Sequence, residues 1–363
     1  MEGFKSRYQL IKYFKGFVIT YLYWFFVNGL FFYIGYLTVE NYLKLTDRIE
    51  VRAQEIEQAE LNILLLLTTT ISFLLSLFSW NYYFFLESRV RSGVWRRIVA
   101  IIVLGIILAI TLNLTTTYLA QNVYQNVNFN AFDSFPNFDF IAYFFYLTLG
   151  NLLIYTLFSL RDIVGPEMYQ SVLRGKYSIP VEENRIFIFM DLVDSTTIAE
   201  KLGHIDYSRF IKECYELMTD AIIYHKAAIY QYVGDEIVLS WRPDKGLEND
   251  NCLKLYDSVC LLIEKHTDFF KKEFGVVPKF CAGLHMGKVT AVQVGLIKRE
   301  LAYHGDVLNT TSRLQEKCKD FNVDILTTEA LRSQLSTELE HIGTLKLRGK
   351  ISETEMYTVK KDT

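Results

Sequence analysis

Two acids, an amide and a guanidinium are the residues whose spacing admits chemistry. The run Arg185 to Glu200, RIFIFMDLVDSTTIAE, is an apolar stretch that delivers Asp191 at its end and then turns through Ser195, Thr196 and Thr197 into a helical pattern. A strand ending in an acid and turning through small hydroxyl residues into a helix suits a metal-triphosphate site. The carboxylate binds a cation, and the backbone N–H groups of the helix start face phosphates. Asp235 is the second acid, in a Gly234-Asp235 step between Ala228–Val233 and Glu236–Trp241, a hairpin signal that puts the side chain at a tip. Taken alone, that step better suits a plain turn. Two such acids, side by side, can hold two Mg²⁺ or Mn²⁺ ions whose shells triphosphate oxygens complete. In the later run ELAYHGDVLNTTSRLQ, Asn309 and Arg313 stand i, i+4 on a predicted helix and share a face. An amide beside a guanidinium suits a ribose and a phosphoryl group gathering charge, although an exposed helix face would read the same way.

The elements that position these groups lie after residue 184. The pattern predicts a strand at Ile186–Met190, helices at Thr197–Leu202 and Tyr207–His225, and the Ala228–Val233 and Glu236–Trp241 hairpin. A helix at Asn251–Phe274 follows, then strands at Lys279–His285 and Val289–Gly295 and one ending near Tyr303. A helix at Val307–Cys318, a strand at Asp324–Thr327 and a closing hairpin over Gly343–Val359 complete the chain. This is an α+β domain with a ferredoxin-like βαββαβ core and its helices on one sheet face.

Composition sets what comes before it. The chain has 363 residues, 51% of them hydrophobic and 15% aromatic, and that excess lies almost wholly before Arg161. Four uncharged stretches there are long enough to cross a bilayer, which needs about 20 residues. They run between Lys15 and Glu40, between Glu60 and Glu87, from Arg97 to about Ala120, and between Asp139 and Arg161. None is bounded like a signal peptide. Basic residues gather before the first span (Lys5, Arg7, Lys12, Lys15), between the second and third (Arg89, Arg91, Arg96, Arg97) and after the fourth (Arg161, Arg174, Lys176), whereas Gln121 to Asp139 has none. By the positive-inside rule both termini are cytoplasmic, in a multi-pass protein of the cell inner (plasma) membrane. The expected division is residues 1–160 as a four-helix transmembrane domain, 161–183 as a cytoplasmic linker, and 184–363 as the catalytic domain. Asn28, Asn113 and Asn151 inside the spans read as helix-helix hydrogen bonding. No charged residue inside a span marks an ion path, which argues against a transporter or pump.

A net charge of −3 gives no support to a nucleic-acid partner. The five cysteines (Cys214, Cys252, Cys260, Cys281, Cys318) lack CxxC spacing and read as free thiols.

Together the three stretches resemble class III nucleotidyl cyclases, the adenylate and guanylate cyclase catalytic family, over roughly Arg185 to Val359. MDLVDST is similar to the family's first metal motif, YVGDEIVLSW to its second, and HGDVLNTTSRLQ to the helix carrying its transition-state pair. LRGK, ending in Lys350, resembles the segment that supplies a triphosphate-binding lysine. The resemblance implies a homodimer with shared active sites. One subunit supplies Asp191, Leu192 and Asp235 to two divalent cations, with Val193, Asp194, Ser195 and Thr196 facing the triphosphate. The other supplies Asn309, Arg313 and Lys350. The implied reaction is in-line attack of the ribose 3′-oxygen on the α-phosphorus of ATP, releasing pyrophosphate. The purine positions depart from the family pattern. Gln231 stands where adenylate members carry Lys and guanylate members Glu, and Ala302 stands where Asp or Thr is common. A glutamine amide serves adenine or, flipped, guanine. The expected function is a membrane-bound adenylate cyclase, with an unknown ligand of the membrane domain as regulator. A guanylate cyclase and a catalytically degenerate nucleotide-binding receptor are the alternatives.

Overall fold

The structure is a computed structural model that describes residues 13–30, 33, 69–80, 99, 102–103, 105–107, 110, 138–165, 169, 171–172, 174–345 and 353–359. The chain divides into two compact units, Met1–Ile163 and Val164–Thr363.

In the first unit, residues 13–30 and 69–80 are helical, and α1 spans Phe138–Val164. Trp24, Leu75, Trp80, Leu147, Ile154 and Phe158 form its core. Polar groups are buried among them. Asn28 Nδ2 donates to Ser72 Oγ at 2.9 Å and accepts at Oδ1 from the Tyr146 hydroxyl at 2.6 Å. Ser79 Oγ accepts from the Trp24 indole at 3.1 Å and donates to Asn151 Oδ1. Asn28 and Asn151 thus join helices as expected, and Asn113 lies outside the described residues. The outward faces are apolar instead, with Phe26 71% and Leu149 59% exposed. Among the described residues no helix is long and apolar enough to cross a membrane. Much of the four expected spans lies outside the described residues.

The second unit is built on β1 (Val181–Leu192). β1 is apolar on both sides because it is central. It pairs antiparallel with β3 (Glu236–Trp241) and with β4 (Phe280–Val294). Ile186, Ile188, Met190 and Leu192 point to one sheet face, and Phe187 and Phe189 to the other. With β2 (Ala228–Val233), β5 (Glu300–His304), β6 (Ile325–Thr328), β7 (Leu339–Leu345) and β8 (Thr354–Val359), the order is β2-β3-β1-β4-β6-β8-β7, β5 pairing with β4. The segment β2-β3-β1-β4 is the antiparallel ferredoxin-like core.

On the first face lie α2 (Ser195–Tyr224), α3 (Asn251–Lys265) and α4 (Thr267–Phe274). Phe210 of α2 packs edge-on against Phe270 and Phe274 of α4, ring centroids 5.7 and 5.3 Å away. Gly203, at φ 73°, breaks α2 between the two helices expected there. The single helix expected over Asn251–Phe274 is two, parted at His266.

Two expectations need correction. β4 is one strand rather than two, because Gly287 stays in the ladder opposite Arg185. Its missing side chain also makes room: a Cβ there would lie 2.8 Å from Val307. Nor do all helices share a face. α5 (Asp306–Lys317) packs on the opposite side, its Val307 against Phe187 and Phe189 and its Leu314 against Cys281. Gly283 of β4 permits this approach, since a Cβ there would meet Thr311 O at 2.3 Å and Gln315 N at 2.5 Å.

Beneath the first face His225 is buried, with Nδ1 3.2 Å from Asn251 Oδ1 and Nε2 2.7 Å from Ser258 Oγ. Asn251 Nδ2 donates to Lys245 O, so Oδ1 is the atom facing the ring and Nδ1 carries the proton. Burial holds the His225 pKa below the ordinary imidazole value of 6.5. The unfolded chain therefore binds the extra proton first, and stability falls as pH drops below that value. The melting temperature should decline between about pH 7.5 and about pH 5.5, and His225→Gln should flatten part of that decline. An unaltered slope in the variant would assign the loss to other groups.

Candidate active site

Asp191 sits one residue from the end of β1, between Glu236 of β3 and Cys281 of β4 in the strand register. It is half-buried, and burial first, then the charge of Asp235, pushes its carboxyl up from the usual range. Asp235 occupies the β2–β3 turn after Gly234, whose φ of 63° a two-residue hairpin loop requires. Tyr215 of α2 braces that turn by donating to Gly234 O at 3.0 Å, with its ring 4.8 Å from Tyr232.

After β1 the chain turns at once. Leu192 is buried, Val193 N donates to Lys279 O at 2.8 Å, and Asp194 takes a left-handed conformation at φ 57°. Asp tolerates that region better than most residues. The turn lets α2 begin at Ser195, so Ser195 and Thr196 open a long helix beside the two acids.

Asn309 and Arg313 lie on α5, Asn309 on its exposed side and Arg313 partly exposed. Gln231 is exposed on β2, next to a register shift between Ile229 and Gln231 that bends the edge strand. Ala302 lies on β5 opposite Val292. Their sequence neighbours meet: the Tyr230 and Tyr303 rings are 5.1 Å apart, and Tyr303 N donates to the Tyr230 hydroxyl at 3.4 Å. The strands bearing Gln231 and Ala302 are thereby brought together. Lys350 lies outside the described residues.

Three further residues belong to this place. Glu236, opposite Asp191, has its carboxyl raised to about 7 by burial and then by Asp191, Asp235 and Glu316. Tyr207 of α2 stands near Ser195 and Asp235, and burial followed by the Asp235 charge raises its hydroxyl to about 12. Gln315 Nε2 lies 3.4 Å from Asp191 Oδ2. A Tyr in a helix, or a Glu following the hairpin acid, carries no sequence signal that singles it out.

Burial and neighbouring acids raise the carboxyls of Asp191 and Glu236 beside this turn, which marks a place of concentrated negative charge that a divalent cation relieves. The donor set fits Mg²⁺ or Mn²⁺. Such ions take one or two carboxylates and keep water or phosphate oxygens for the rest of the octahedron. Among the described residues no group of three or more His, Cys, Asp or Glu is arranged to hold a metal. A shallow groove of about 330 Å³ between α2 and β2, with Lys212, Tyr215 and Tyr232 in its lining, holds none of the candidate residues.

The comparisons fall on the same stretch. Residues 180–361 match the family described as the Adenylate and Guanylate cyclase catalytic domain. Adenylate cyclase 2 of Rhizobium meliloti (strain 1021) is 30% identical over 213 residues, 55% of this chain and 59% of that protein. Human retinal guanylyl cyclase 2 is 24% identical over 207 residues, 56% of this chain and 19% of that one. The chain thus spans less than two thirds of either relative. A solved bacterial light-regulated adenylyl cyclase shares the fold at a TM-score of 0.52 and 16% identity, covering 58% of this chain and 63% of its own. With half of the sequence matched, the chain belongs to the adenylate and guanylate cyclase catalytic domain family, the class III nucleotidyl cyclases.

Proposed function

We propose that the protein is a membrane-anchored, homodimeric adenylate cyclase that converts ATP to 3′,5′-cyclic AMP and pyrophosphate at sites shared between two subunits. The observation that carries the shared-site reading is the orientation of α5. Successive helix residues are about 100° apart, so Arg313 and Gln315 project about 200° apart. Gln315 points to Asp191 of its own chain. The side bearing Asn309 and Arg313 therefore turns away from the chain's own acids, as it must if it serves a second copy. A two-fold dimer completes both sites at once.

In this reading Asp191 and Asp235 hold two divalent cations, Mg²⁺ or Mn²⁺, together with the backbone at Leu192. Bound there, the cations supply Lewis acidity toward the 3′-hydroxyl and the phosphates. Val193 to Thr196 face the triphosphate with the N–H groups that open α2. Asn309 orients the ribose, Arg313 meets the charge that builds on the transferring phosphoryl group, and Lys350 meets the triphosphate.

Gln231 and Ala302 face the purine, and the Gln231 amide suits either base. ATP is favoured by the adenylate cyclase among the relatives, at 30% identity against 24% for the human guanylyl cyclase. Guanylate cyclase activity is the second reading, favoured by that same reversible amide.

Placement in the cell inner (plasma) membrane with both termini cytoplasmic is supported by the loop charges of the sequence, and membrane anchoring by the inverted polarity of the first unit. Its helices bury Asn28, Ser72, Ser79 and Asn151 and expose Phe26, Phe78 and Leu149, the reverse of a helix bundle in water.

Full-length protein in detergent with Mn²⁺, offered equimolar ATP and GTP, tests the reading by the mass of its products. Cyclic AMP is expected. Cyclic GMP alone would move the function to guanylate cyclase, and no cyclic product would make the chain a nucleotide-binding receptor.

A further inference from the structure

We propose that Gln315 is a positioning residue for Asp191 of its own chain: its buried amide holds Oδ2 of that carboxylate and thereby sets the orientation in which the acid meets a divalent cation. The role rests on the cyclase reading above.

Gln315 lies near the C-terminal end of α5 and is only 6% exposed. A polar side chain that deep must find partners. Its Nε2 has two, Asp191 Oδ2 at 3.4 Å and Cys281 Sγ at 3.1 Å. The two hydrogens of one amide nitrogen can serve both. An ionised carboxylate only accepts, so the nitrogen must be the atom that faces it. The Cys281 thiol reaches the Asp191 carbonyl at 3.7 Å, and Cys281 is the register partner of Asp191 in β4. Three residues thus close around the end of β1.

The backbone under Gln315 is held as closely. Gly283 follows Cys281 by two residues on the same strand face, and a Cβ there would stand 2.5 Å from Gln315 N. The helix therefore rests directly on the strand at the turn that carries the amide. Packing alone does not call for an amide here. The preceding Leu314 is fully buried without one, and an apolar side chain at position 315 would avoid the cost of desolvating a polar group.

Gln315→Met keeps length and bulk and removes both donors. Mn²⁺ binding to the full-length protein in detergent, read from the electron paramagnetic resonance of free Mn²⁺, should weaken by about tenfold, the scale of losing a group that orients a metal ligand. The melting temperature should stay near that of the parent, and Gln315→Leu should repeat the result with a second apolar shape. In an Asp191→Asn background, Gln315→Met should change Mn²⁺ binding no further, because the two residues act as one. Unchanged Mn²⁺ affinity in Gln315→Met, where Asp191→Asn lowers it, would overturn the role given to Gln315 alone. An equal loss in both backgrounds would also overturn it, placing the effect elsewhere. Affinity indifferent to Asp191→Asn would overturn the metal assignment of Asp191 and this role with it.

Discussion

Asp191→Ala will abolish cyclic nucleotide formation, by on the order of a thousandfold or more, without unfolding the protein. On the proposed reading the magnitude follows from removing a direct ligand of a cation that would lower the barrier by several kcal/mol, each tenfold being about 1.4 kcal/mol. The intact fold follows from electrostatics. Asp191 is half-buried beside Asp235 and opposite Glu236, and both its own pKa and that of Glu236 are raised. A carboxyl with a raised folded pKa weakens the fold once pH exceeds its ordinary value, since the native chain then holds a proton that the unfolded chain has released. Deleting Asp191 removes one of the repelling charges. The metal-free melting temperature should hold or rise, while the upward shift produced by Mg²⁺ in the parent should shrink. Near-parental turnover in Asp191→Ala would remove the acid from the reaction. Collapse of the fold would show that its role is structural.

Activity will return when two inactive chains are combined. In the proposed shared site Asp191→Ala lacks the acid half and Arg313→Ala the guanidinium half, and α5 turns Arg313 away from the side on which Gln315 meets Asp191. In a heterodimer of the two, one site carries both lesions and the other none. Random mixing of equal amounts makes half the dimers mixed, each with one of two sites whole, so about a quarter of parental activity should appear. Chains mixed after separate purification must first exchange subunits, so co-expression with two affinity tags is the stricter version. No recovery in purified mixed dimers would sink the shared site and leave each chain to work alone.

The hairpin that bears Asp235 was legible to the residue. Both strands, Ala228–Val233 and Glu236–Trp241, have the bounds read from the sequence, because a two-residue Gly-Asp step fixes where each strand meets the turn. The glycines of β4 misled for a physical reason. Gly287 reads as punctuation, yet it pairs opposite Arg185 and is small because Val307 presses on it from α5. Gly283 carried the same message, that a helix would approach the strand from the second face, but a lone strand glycine does not name the element that will fill the space. Asp191, Asp235, Asn309 and Arg313 could be picked out because each sits beside a turn or shares a helix face. Glu236, Tyr207 and Gln315 could not. What draws them to the acids is strand register, a helix passing overhead and a contact 124 residues away in sequence, all of them products of the folded sheet.

The cysteines have a practical consequence. Of the five free thiols, Cys214, Cys252, Cys281 and Cys318 are buried and Cys260 on α3 is exposed. One reagent-accessible sulfur per chain makes the native protein a ready-made ruler. A single spin label or fluorophore on each subunit, placed without any engineered substitution, would report the separation of two copies and whether nucleotide draws them closer.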